Sequence, residues 1–99
     1  SINTDVKGKT DITNTALYYV NGIINAPAEK KSDAKMELAN MYFSRGFYAE
    51  AIGTLEDIKT SDPAYKDICW RYIKLMVQMG GDDKNYIKSY RTFFDESNP

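Results

Sequence analysis

Residues 32–65 read SDAKMELANMYFSRGFYAEAIGTLEDIKTSDPAY, and this stretch decides the fold. Apolar residues recur in it at three- and four-residue intervals, which is the spacing of one face of an α-helix. A first run extends from about Ser32, or from Pro27, to Arg45, and a second begins at Tyr48. Gly46 stands between them, where a left-handed helix C-cap belongs. The stretch therefore predicts two antiparallel helices joined by a tight turn.

The same spacing continues on both sides of this stretch. Upstream, a helix is predicted from Asp11 to the interruption at Pro27, because proline disfavours helical geometry in the residue before it. Downstream, Asp62 and Pro63 form a helix-start signal for a fourth helix, which ends at Gly80. Asp82 and Asp83 can cap a fifth helix. Its apolar stripe consists of Tyr86, Ile87, Tyr90, Phe93 and Phe94.

These elements predict an all-α fold of about five antiparallel helices with short loops. We expect one domain over residues 11–99, because 99 residues leave no room for a second. Residues 1–10 are polar and show no helical period, so they are predicted to form a flexible N-terminal lead. Gly22 and Gly53 fall inside predicted helices, where close contact between helices would explain them.

The composition excludes several classes of function. Lys and Arg number 13 and Asp and Glu 14, so the net charge of −1 gives no basic field for a nucleic acid. The chain has no histidine, which removes histidine-based acid/base catalysis and metal ligation. No apolar run is long enough to insert into a membrane. We therefore expect no nucleic-acid partner and no direct membrane insertion of this segment.

Catalytic and metal-binding residues are likewise not expected. The single cysteine, Cys69, lies on a predicted apolar stripe without a histidine to activate it, so a buried inert thiol is favoured. Adjacent carboxylates such as Asp82 and Asp83 point about 100° apart on a helix and are better explained by capping and solvation. The sequence predicts a chain that is not an enzyme and that holds no metal or cofactor.

Residues 32–65 resemble a tetratricopeptide repeat (TPR), a pair of antiparallel helices with a period of 34 residues. Ala39 and Ala51 lie where the two helices of such a repeat cross, and their small side chains let the two backbones approach each other. Two positions depart from the family pattern: Lys35 stands where tryptophan is common, and Ile58 is larger than the usual alanine. The positions that carry the resemblance are Leu38, Ala39, Tyr42, Gly46, Tyr48, Ala51, Leu55 and Pro63.

A degenerate second repeat is predicted at 66–97, and residues 13–25 fit a lone second helix of an incomplete preceding repeat. The chain then amounts to about two and a half repeats of a short right-handed superhelix. Repeat arrays generally need about three units, with polar outer faces on the terminal ones. Either the chain is a compact miniature, or its terminal faces meet another chain or a missing part of a longer one.

The resemblance implies a protein-binding concave face, lined by residues of the first helix of each repeat that lie outside the core stripe. Trp70 is the residue of this face that we most expect to contact a partner, because tryptophan is enriched at interfaces. The alternative is that the first helix docks on this patch and makes it core. The candidate partner-binding residues are Met36, Asn40, Phe43, Trp70, Lys74 and Val77.

Some TPR domains bind the C-terminal carboxylate of chaperones through a clamp of Lys, Asn and Arg side chains. Asn40 occupies the place of the clamp asparagine, but Met36 replaces the expected basic residue, so the clamp is not predicted. Residues 34–80 are also similar to the TPR-like domain of ancillary subunits of the bacterial Sec translocon. That similarity implies the periplasmic side of a cell envelope, while a cytoplasmic location is equally compatible with the sequence.

Two functions are therefore expected for different reasons. The first is a non-catalytic TPR scaffold that binds a peptide or partner helix through its concave face or assembles through its end helices. The alternative is a self-associating structural domain, in which the terminal helices complete an oligomeric stack.

Overall fold

The computed structural model of the protein describes the backbone of residues 2–79 and the side chains of residues 11–79. This part of the chain is all-α, and its helices pack in sequence as antiparallel pairs. The predicted fifth helix lies outside the described residues. The four helices are α1 (Ile2–Asn25), α2 (Lys31–Ser44), α3 (Tyr48–Ser61) and α4 (Lys66–Met79).

Helix α1 begins at Ile2, whereas the sequence predicts its start at Asp11. The backbone of residues 2–10 is helical and continues without a break into the rest of α1. The difference has a physical reason. An apolar stripe reports which face of a helix is buried, and a polar helical segment has no such stripe to show.

The turns follow the sequence signals closely. Gly46 has a φ of 81°, so the left-handed position predicted after α2 is confirmed. Asp62 caps the turn before α4, where one of its side-chain oxygens accepts a hydrogen bond from the backbone N–H of Ala64 at 3.2 Å. The chain after each of Pro27 and Asp62 first makes a short 3₁₀ turn and then enters the α-helix. These turns are Ala28–Lys30 and Pro63–Tyr65.

Two core clusters hold the helices together. The larger lies between α2, α3 and α4 and includes Ala39 and Ala51, the two small residues predicted at the crossing of α2 and α3. The smaller lies between α1 and α2 and is built on Ile12 and Leu38. Tyr42 packs against both clusters. The other buried members of the larger cluster are Ile52, Leu55, Ile58, Cys69, Ile73, Met76 and Val77.

Polar side chains tie α2 to the elements that follow it. The Ser32 hydroxyl donates a hydrogen bond to Asp62, and the Tyr65 hydroxyl donates one to Asp33. The Lys35 ammonium lies 3.0 Å from the Asp57 carboxylate of α3. Lys35 stands where the TPR pattern commonly has tryptophan, so an ion pair occupies that position here.

The two glycines inside helices have no packing role. A Cβ atom added at Gly22 or Gly53 meets nothing within 4 Å, so close helix contact does not explain either residue. In the part of the chain that the structure describes, none of the helices combines the length and apolar character needed to cross a bilayer.

Candidate functional site

A groove opens between α2 and α4, the two helices that flank α3. It encloses a cavity of about 330 Å³. Ala39 and Leu55 belong to the buried core and form its floor. Helix α2 contributes Met36, Asn40 and Phe43 to the walls, and α4 contributes Tyr72, Leu75 and Met76.

Three of the six predicted binding residues line this groove. Met36, Asn40 and Phe43 lie at intervals of four and three residues on α2 and present one continuous face to the cavity. Met36 and Phe43 also pack partly against the larger core cluster, so their positions are fixed by the fold. The α2 half of the predicted face therefore exists as one surface.

The α4 half of the prediction does not line the groove. Val77 is 1% exposed and belongs to the core, whereas the sequence places it on a binding face. Trp70 is half-buried, with the ammonium of Lys59 on α3 lying 3.9 Å from the centre of one of its rings. Lys74 is half-buried as well, and neither it nor Trp70 lines the cavity.

The sequence assigns Tyr72 to the core stripe and does not single out Leu75. Both are exposed, at 38% and 45% respectively, and they form the α4 wall. Apolar residues occupy most of α4, so its pattern does not show where the core stripe ends. The usable signal is the spacing of Tyr72, Leu75 and Met79, which places three exposed apolar residues along one edge of the helix.

A second cavity, of about 390 Å³, lies on the other side of α2, between that helix and α1. Tyr18 and Tyr19 line it from α1, and their rings meet edge to face with centroids 5.7 Å apart. Ala34 and Glu37 line it from α2. Glu37 lines the first cavity as well, so it is the residue that the two cavities share.

The groove and the second cavity share one acidic side chain, that of Glu37. The described side chains that line the two cavities include no lysine or arginine. Within the part of the chain that is described, Glu37 is exposed and has no ion pair or side-chain hydrogen bond. The two cavities are thus lined by apolar and uncharged polar side chains around a single carboxylate.

The outer face of α1 carries a separate apolar surface. Leu17, Tyr18 and Ile24 are 55%, 76% and 66% exposed. Leu17 and Ile24 are seven residues apart and lie on a side of α1 that the smaller core cluster does not cover, since Ile12 and Ala16 face α2. Tyr18 points in a different direction and lines the second cavity. We call Leu17 and Ile24 the outer α1 face.

Cys69 is the single cysteine of the chain. The Cys69 side chain is buried in the larger cluster, and this burial raises the pKa of its thiol, which disfavours the reactive thiolate. Among residues 11–79, no group of three or more His, Cys, Asp or Glu side chains could hold a metal ion.

We compared the chain with protein-family models, with curated proteins and with solved structures, and found no match in any of the three.

Proposed function

We propose that the chain is a TPR-like, non-catalytic interaction module that binds an apolar segment of a protein partner in the groove between α2 and α4. The observation that carries the proposal is the groove itself. Met36 and Phe43 face Tyr72 and Leu75 across a cavity of about 330 Å³. Such concave apolar sites with a few polar groups are the usual form of a binding site.

The TPR assignment is supported by features of the α2–α3 pair. Gly46 adopts the left-handed conformation at the turn, and Ala39 and Ala51 are buried at the positions that the repeat keeps small. The groove lies between the first helices of two successive repeats, which is where the resemblance implies a concave face. A protein segment is the favoured occupant, because the lining offers large apolar contacts and few hydrogen-bonding groups.

Peptide selection with crossed variants tests the proposal. Random peptides displayed on phage are selected against the 99-residue chain, and the affinity of the selected peptides is measured by fluorescence polarisation. We expect Leu75→Asp to weaken binding at least about tenfold, because it places a charge in an apolar groove. Leu17→Asp is the matched control, since Leu17 is similarly exposed but lies on α1 outside the groove.

Two outcomes contradict this assignment. Selection that enriches no peptide argues against any peptide-binding groove. Peptides that bind Leu75→Asp as tightly as the unchanged chain show that the site lies elsewhere. Circular dichroism of each variant confirms that the helices are retained.

The chemistry of the groove also predicts what it does not bind. Its lining contains no lysine or arginine among the described residues, and Met36 stands where a carboxylate clamp needs a basic side chain. A peptide with the C-terminal carboxylate of a chaperone is therefore expected to show no saturable binding. Submicromolar affinity for that peptide contradicts this view of the groove.

A second candidate function is self-association through the outer α1 face. Two large apolar side chains, Leu17 and Ile24, on one exposed helix face favour contact with a second copy, and a twofold pairing of α1 helices is the simplest arrangement. Sedimentation at several concentrations tests it. We expect Leu17→Asp to shift the chain to monomer and Leu75→Asp to leave its assembly unchanged. A monomer at every concentration rejects this candidate.

A further inference from the structure

We infer that the partner segment carries a lysine or arginine beside its apolar side chains, and that this cation pairs with Glu37. The inference rests on the proposed function, because it specifies the occupant of the same groove. It goes further by assigning a residue that sets the charge of the partner.

The position of Glu37 is the first argument. Glu37 lines both the groove toward α4 and the second cavity toward α1. A segment seated on Met36 and Leu75 that extends toward Tyr18 has to pass this carboxylate. An apolar side chain placed there would bury the charge without compensation, whereas a cation would satisfy it.

The engagement of the neighbouring charges is the second argument. The two lysines of α2 are used elsewhere: Lys35 pairs with Asp57, and the Lys31 ammonium donates to the backbone carbonyls of Ile23 and Ile24 at 2.9 Å and 3.1 Å. The α2 acid one turn earlier, Asp33, accepts a hydrogen bond from Tyr65. Neither lysine of α2 therefore pairs with Glu37. The Glu37 carboxylate is available to a partner.

The surroundings of Glu37 suit a long cationic side chain. Lysine and arginine lay their aliphatic stems on apolar surface while the charged end meets an acid. Tyr18 and Tyr19 provide such surface in the second cavity, where Glu37 supplies the acid. An acidic partner residue at this place would meet a like charge, so the groove discriminates against it.

Selection on charge variants tests the inference. Random phage-displayed peptides are selected on the unchanged chain, on Glu37→Lys and on Glu29→Lys. Glu29→Lys is the control: it changes the net charge by the same amount as Glu37→Lys, but Glu29 is exposed in the turn before α2 and lines neither cavity. We expect lysine or arginine to be enriched next to large apolar residues on the unchanged chain and on Glu29→Lys. On Glu37→Lys we expect aspartate or glutamate at that place.

Direct binding gives the size of the effect. A selected peptide is synthesised with its cation and with glutamine in its place, and both are titrated into the unchanged chain and Glu37→Gln. We expect the cation to improve affinity about two- to fivefold on the unchanged chain and not on Glu37→Gln, as for an exposed ion pair. The gain is expected to shrink as ionic strength rises.

The outcomes separate this inference from the function on which it rests. If peptides lose affinity for Leu75→Asp but show no preference for a cation, the groove binds partners and the role of Glu37 is rejected. If a cation is enriched equally on Glu37→Lys, it pairs with another residue and the inference fails. If no peptide is enriched, both are rejected.

Discussion

The hydroxyl of Ser32 donates a 2.6 Å hydrogen bond to Oδ2 of Asp62, 30 positions later in the chain. The other carboxylate oxygen, Oδ1, accepts from the backbone N–H of Ala64. One side chain therefore joins the start of α2 to the turn that leads into α4. Because α2 and α4 form the walls of the groove, this contact helps to set the distance between the walls at one end.

We expect Ser32→Ala to lower the free energy of unfolding by about 1 kcal/mol, since it removes one partly buried hydrogen bond to a carboxylate. Asp62→Ala is expected to cost about 1–2 kcal/mol, because it also removes the cap at Ala64. Urea denaturation measures both. Ser61→Ala is the control: its hydroxyl donates to carbonyls of its own helix, so we expect little change. Equal losses for Ser32→Ala and Ser61→Ala contradict the assigned role of the Ser32 contact.

Two glycines are expected to respond in opposite directions. Gly53→Ala should raise the free energy of unfolding by up to about 1 kcal/mol, because Gly53 lies inside α3 with open space around it. Gly46→Ala should lower it by about 1 kcal/mol, since a φ of 81° strains a residue with a Cβ atom. Thermal or urea denaturation of the two variants tests the prediction. A destabilised Gly53→Ala would reveal a contact at that position.

The pairing of Lys59 with Trp70 predicts a measurable coupling. The ammonium lies 3.9 Å from the ring centre, so a double-mutant cycle with Lys59→Met and Trp70→Leu should give about 0.5–1 kcal/mol. Trp70 is the only tryptophan of the chain, so its fluorescence should also change in Lys59→Met. Lys66→Met serves as control. If the stability changes of the two single variants add up to that of the double variant, the two groups do not interact energetically.

Stability should fall at alkaline pH. Burial raises the pKa of the Cys69 thiol above its ordinary value of 9.0, and the hydrogen bond to Asp33 raises the pKa of Tyr65 above 10.0. The unfolded chain therefore loses these protons first. The free energy of unfolding contributed by both groups is complete below about pH 9 and declines above it. Urea denaturation from about pH 7 to about pH 11 measures the decline.

Variants separate the two contributions to that decline. Cys69→Ala should reduce the decline of the free energy of unfolding with pH that begins near pH 9. Tyr65→Phe should reduce the decline that begins near pH 10. Cys69→Ala also leaves a small cavity, which lowers stability at every pH but does not change the slope. A slope unchanged in both variants would assign the pH dependence to other groups.

Much of the described fold follows from the sequence because its signals are local. The left-handed Gly46, the Asp62 cap and the buried stripe of α3 depend on residues close together in the chain. The start of α1 could not be predicted in this way, since the first residues of the helix carry no apolar stripe. The 3₁₀ turn at Pro63–Tyr65 is similarly hidden, because Pro63 suits the first turn of either kind of helix.

The site could be predicted only in part. Met36 and Phe43 could be predicted through the TPR resemblance, which implies that they lie outside the core stripe of α2, and both line the groove. Helix α4 also carries apolar residues outside its core stripe, so its own pattern does not show that Val77 is buried and Leu75 exposed. The role of Glu37 depends on cavities on both sides of α2, and no pattern within one helix reveals such a relationship.

The division of the core into two clusters has a consequence for cooperativity. Helix α1 packs on α2 through the smaller cluster, and Tyr42 contacts both clusters. Local opening that releases α1 leaves the buried residues between α3 and α4, such as Ile58 and Ile73, in place. Amides of α1 should accordingly exchange with solvent deuterium through a sub-global opening of lower free energy than those of α3.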